Sequence, residues 1–126
     1  MQKLKIEGAV YLTDRFFIDL QDIYDHSVKK WGEATSEKYL DAIQNSLLSL
    51  EENPELLLQK HQISKRFKLY PSGRHWLICD TVGDDIYMLT IKHMSLNLIE
   101  RLEVLQPTLE AEVKVLYDRL KRKGRP

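Results

Sequence analysis

The chain has one cysteine, Cys79, among its 126 residues, so no internal disulfide can form and a reducing cytoplasm is the expected home. It also lacks an excess of either charge: 19 Lys and Arg balance 19 Asp and Glu. That balance, with 43% hydrophobic residues, excludes the low-hydrophobicity, high-charge composition of a disordered chain. No apolar run approaches the roughly 18 residues that a membrane span needs. The opening Met1-Gln2-Lys3-Leu4-Lys5 lacks the apolar segment of a secretion signal, so neither insertion nor export is expected. There is no Gly-rich phosphate loop, no GxSxG and no HExxH, which removes the commonest nucleotide-binding, esterase and metalloprotease signatures. His26, His61, His75 and His93 show no metal-ligand spacing, so neither a metal nor any other cofactor is expected. No pair of carboxylates stands out as an acid/base couple, and no catalytic residue is assigned.

What is present fits one domain of ordinary size, with enough apolar residues for one core. The zero net charge conceals a segregation. Residues 14–58 carry ten acids and four bases; 59–76 carry five bases and no acid. Residues 77–113 return to seven acids against two bases, and 114–126 hold six bases and one acid. Such blocks either solvate faces or make a dipolar surface with a basic patch for an anionic partner.

Hydrophobic periodicity divides the chain into elements. Leu4 to Leu12 reads as a strand, and Thr13-Asp14 as the N-cap of a helix with a stripe from Phe16 to Trp31. Gly32 ends that helix, and a second, from about Thr35 to Glu52, folds back as an antiparallel hairpin before Asn53-Pro54 stops it. The period then shortens. Phe67–Tyr70, His75–Asp80 and Ile86–Lys92 read as a three-strand meander, with turns at Pro71-Ser72-Gly73 and Val82–Asp85. The last two strands are nearly continuous apolar runs, which predicts a sheet covered on at least part of both faces, with Cys79 as a small buried hydrophobe. Helical periods return after His93 on either side of Pro107, which suits the first turn of a final helix. The expected fold class is therefore α+β: a single compact domain, residues 1–126, with a helical hairpin on a small, mainly antiparallel sheet (β-α-α-β-β-β). C-terminal helices form an extension over residues 94–126.

The candidate site residues are cations around the meander: Lys65, Arg66, Lys68, Arg74 and His93, with His75 and Lys92 nearby. Strand alternation groups Lys68 with Arg66 and Tyr70, and groups His93 with Tyr87, Leu89 and Ile91, which predicts a partly buried, structural His93. Such cations suit RNA phosphates or an acidic protein. A groove between the hairpin and the C-terminal helices, lined by Phe17, Tyr24 and Leu48, is the second candidate surface.

Asp19-Leu20-Gln21-Asp22-Ile23, Trp31-Gly32, Tyr39, the run Leu47–Leu50 and Asn53-Pro54 resemble the first half of toxins in the ParE/RelE superfamily. Arg66–Tyr70, Arg74–Asp80 and Asp85–His93 are similar to the last three strands of ParE-type toxins, and Arg101–Val113 to the extended C-terminus of a ParE-like subgroup. Two positions depart from the pattern: Phe16-Phe17 stands where a small residue is common, and Asn97 where the usual residue is Asp. The resemblance implies the toxin of a type II toxin–antitoxin system, with a cognate antitoxin as partner. It implies either a DNA gyrase inhibitor that is not an enzyme or, as the alternative, a RelE-type endonuclease that cleaves mRNA on the ribosome. Arg66, Lys68, Arg74, Lys92 and His93 could supply cations and one acid to the nuclease, but no second acid/base partner is clearly placed, although Tyr87 could be proposed. The ParE-like C-terminus adds weight to gyrase as the target. An antitoxin tail would then bury apolar anchors in the groove and pair its acids with Lys60, Arg66 and Arg74.

Overall fold

The computed structural model describes residues 10–123. The early part of the expected first strand, residues 4–9, and the last three residues of the basic tail lie outside them. The described elements are β1 (Val10–Leu12), α1 (Asp14–Trp31), α2 (Glu33–Glu52), a 3-10 turn (Pro54–Leu56), β2 (Lys68–Ser72), β3 (His75–Val82), β4 (Asp85–His93) and α3 (Leu98–Arg122). The sheet order is β1-β4-β3-β2, with β1 parallel to β4 and the other pairs antiparallel.

Each boundary has a local cause. Thr13 caps α1: its Oγ1 accepts from the Phe16 N–H at 3.1 Å and donates to the Met88 carbonyl at 3.0 Å, tying the helix start to the sheet. Gly32 alone separates the two helices, in a backbone conformation (φ 86°, ψ 173°) that is essentially confined to glycine. The second helix therefore begins at Glu33, two residues before the expected Thr35. Buried Ser27 and Ser36 meet at 2.8 Å where the hairpin helices touch. Both sheet hairpins have two-residue turns with glycine first, Gly73 at φ 59° and Gly83 at φ 61°. Pro71 stays within β2 because β2 is an edge strand, where a missing N–H is tolerated.

The sheet is covered on both faces, as its apolar runs predict. On one face Leu77, Cys79, Ile86 and Met88 pack with Phe16, Leu20, Ile43 and Leu47 of the hairpin. On the other, Leu69, Ile78, Tyr87 and Leu89 pack with Leu102, Leu109, Val113 and Leu116 of α3. Cys79 is fully buried, and burial pushes its thiol up to about 12.

Two sequence expectations change here. The C-terminal segment is one helix of 25 residues running through Pro107, not two. Pro107 is exposed, so the carbonyl that loses its helical donor belongs to Glu103 on the wet side of the helix. Asn97 caps this helix, accepting from the Glu100 N–H at 3.4 Å; Asn and Asp serve equally at that position, so the departure noted above costs the fold nothing. The second change is a β-bulge in β4. Ile78 pairs with Thr90 but Cys79 with Met88, leaving Leu89 as the extra residue. The alternation reverses there, so Met88 and Ile91 share the hairpin face while Tyr87 and Leu89 face α3.

Candidate functional site

That bulge decides where His93 goes. Instead of following Tyr87 and Leu89 into a core, His93 pairs with His75 across the β3–β4 ladder and is exposed. The partly buried His93 expected from unbroken alternation is thus corrected; His75 is the half-buried member, and their rings meet edge to face with centroids 5.0 Å apart. The Nδ1 of His93 accepts from the Ser95 N–H at 3.0 Å, which leaves the proton of the neutral ring on Nε2.

The two histidines lie in an open groove of about 800 Å³. One wall is the end of α1, with Asp22, Ile23, His26, Lys30 and Trp31. The other comprises Tyr39 of α2, the Gly73-Arg74 turn and the ends of β3 and β4. Trp31, the last residue of α1, is 59% exposed, and the Lys30 ammonium lies 4.8 Å from its ring centroid. The Tyr39 hydroxyl lies 2.6 Å from His75 Nδ1. Burial raises the Tyr39 hydroxyl far above its ordinary range. Burial first, and the neighbouring His93 second, push His75 down to about 4. At neutral pH the Tyr39–His75 pair is therefore uncharged, with Arg74 on the same wall and Lys30 on the facing one.

The five cations singled out in the sequence lie at two ends of the sheet. Arg74 and His93 border the groove. Lys65 and Arg66 precede β2 at the opposite end, and half-buried Lys68 opens that strand. The separation along β3 between Asp80, which Arg66 contacts, and Arg74 is six residues, roughly 20 Å. Arg66 lies before the strand, so alternation does not group it with Lys68 and Tyr70. Its guanidinium instead reaches the α3 side, bonding Asp80 at 2.8 and 3.1 Å and Glu110 of α3 at 2.9 Å. Burial pulls the Arg66 pKa down, but these carboxylates outweigh it and hold the cation above its ordinary value.

This groove is not the one expected between the hairpin and the C-terminal helices, which cover opposite faces of the sheet, and Phe17, Tyr24 and Leu48 are not among its lining residues. Phe17 packs edge to face on Phe16, the Tyr24 hydroxyl donates to Glu37 at 3.0 Å, and Leu48 is exposed on α2. Sequence reasoning missed Trp31 and Tyr39 as groove residues because both fit the apolar stripes of their helices. The available signal was Trp31 standing directly before Gly32, where a stripe residue has no following turn to cover it.

The ParE toxin model of the type II toxin–antitoxin system parDE matches residues 10–98. The chain belongs to the ParE toxin family. Among solved structures it is similar to the chromosomal ParDE toxin–antitoxin system from P. aeruginosa, with 18% identity and a TM-score of 0.62. The match covers 70% of this chain and 97% of that one, and at this identity shows a shared fold. No curated protein sequence matches. The ParE family match ends at Leu98, where α3 begins, so nearly all of this helix lies beyond it. Among the described residues no helix is long and apolar enough to cross a membrane.

Proposed function

We propose that this ParE-family chain is the gyrase-directed toxin of its pair, acting by binding and without turnover chemistry, and that a cognate antitoxin neutralises it. The observation that carries this reading is the condition of the sheet's ionisable groups. A ribonuclease needs free cations for the developing phosphorane charge and an acid and base that titrate near neutrality. Here Arg66 is held by two carboxylates, and although Lys30 and Arg74 are cations at the groove, His75 stays neutral down to about pH 4 and Tyr39 keeps its proton, so neither completes an acid–base pair beside His93. These features favour a binding surface over a catalytic one.

The groove supplies a reading of the antitoxin contact. Lys30 and Arg74 flank an aromatic and imidazole wall, a combination suited to an acidic segment with an apolar or aromatic anchor. Phe17, Tyr24 and Leu48, with Lys60 and Lys65, are proposed as secondary contacts along the hairpin and connector. The deciding experiment adds the purified chain to gyrase and, separately, to translating ribosomes. Loss of supercoiling with DNA trapped in cleavage complexes is the expected result. Transcript cleavage on ribosomes with supercoiling intact would establish the endonuclease alternative and overturn the proposal.

A further inference from the structure

The helix beyond the family match has two apolar faces, and its own domain covers one. Leu98, Leu102, Leu109, Val113, Leu116 and Leu120 are buried against the sheet. On the opposite side, Val104, Thr108, Ala111 and Val115 follow one another at steps of four, three and four, the spacing of a coiled-coil seam. All four are exposed; Val104, at 75%, is the most exposed large apolar side chain among the described residues, and Val115 is at 49%. Small central residues let a second helix approach closely, and a valine at each end supplies the apolar contact.

Charge decides which helix fits. Residues 98–110 of α3 carry three acids and one base, whereas 111–122 carry four bases and two acids. The helix is thus complementary to itself when reversed. We propose that α3 is a self-association surface on which a second copy of this chain docks antiparallel about a twofold axis near residues 109 and 110. In that register Val104 meets Val115 of the second copy, and Thr108 meets Ala111. The same register sets Arg101 against Asp118 of the second copy and Glu100 beside its Lys121, and the twofold repeats both pairs. No other adjustment is needed for apolar and charged positions to match together. A shallow dent of about 170 Å³ lined by Asn97, Glu100, Arg101 and Val104 lies where the second copy's Val115, Asp118 and Arg122 arrive. In the single chain Asp118 is bonded by Lys114 at 3.2 Å on an exposed surface, a weak pair that leaves the carboxylate available to Arg101.

One helix pair lies at the small end of specific interfaces, so the dimer forms weakly and reversibly. Sedimentation of the full chain from roughly 1 to 200 µM should show a monomer–dimer equilibrium whose midpoint lies in that range. Arg101→Glu or Asp118→Arg alone places like charges together and should weaken association by roughly tenfold or more. The double variant reverses both partners and should recover it, a rescue that a merely structural role would not produce. Val104→Lys, at a position that contributes no burial to the fold, should abolish the dimer while leaving the far-UV circular dichroism unchanged. A chain that stays monomeric across the range overturns the proposal, including a chain whose α3 face is covered only when antitoxin is added. So does a dimer indifferent to Val104→Lys, or a double variant as weak as the singles. Gyrase assays do not enter this test, so its failure and that of the toxin mechanism are separable.

Discussion

The Tyr39 hydroxyl and His75 Nδ1, from the middle of the hairpin and the start of β3, lie 2.6 Å apart. Burial keeps His75 uncharged to about pH 4, so its Nδ1 and the tyrosine hydroxyl share a single neutral hydrogen bond whose donor follows the imidazole tautomer. This bond fastens α2 to the sheet beside the groove.

A pH dependence follows from the depressed His75 pKa. Between about 6.5, where a free histidine protonates, and about 4, the unfolded chain binds a proton that the folded one refuses. Stability is therefore fully present above about pH 6.5 and falls as the pH drops toward 4. After discounting for partial exposure, His75 should contribute about 1–2 kcal/mol to that fall. Denaturant melts at pH 7 and pH 4.5 check it: His75→Gln should lose less stability between the two than the parent chain. An equal loss in both would remove His75 as the cause.

Arg66 is the fastener at the other end of the sheet. Its removal leaves the Asp80 carboxylate, in a residue only 7% exposed, with the Thr81 N–H as its remaining described donor. Arg66→Ala should cost about 2 kcal/mol, below the cost of breaking a fully buried pair because Arg66 itself is partly exposed. Since Glu110 is also released, amides of α3 should exchange faster with solvent. A denaturation midpoint unchanged from the parent would show the pairs to be dispensable.

Gly32 tests the hairpin. A Cβ there meets nothing within 4 Å, so any cost of Gly32→Ala is purely conformational. At φ 86° that cost should be about 1–3 kcal/mol, read as a lowered unfolding midpoint with unchanged denaturant slope. No loss would mean that the inter-helix turn relaxes to another geometry.

Much of this architecture was readable before any coordinates. Thr13 and Gly32 mark the first helix because capping and positive-φ chemistry are local, and the apolar runs around Ile78 and Met88 announce a sheet covered twice. The candidate site was legible only in part. Arg74 and His93 stand at the groove, but Trp31 and Tyr39 were hidden in helix stripes, and Arg66 was grouped with strand residues it does not join.

Composition, caps, turns and period by themselves determined an α+β domain with a helical hairpin, a three-strand meander and a helical C-terminal segment in this order, because each depends on residues close in the chain. Only the tertiary structure decided that Leu89 bulges out of register, that His93 consequently turns toward His75, and that Arg66 is tied to α3. Pairing register and long-range ion pairs join residues far apart in sequence, and no local pattern encodes which partner arrives.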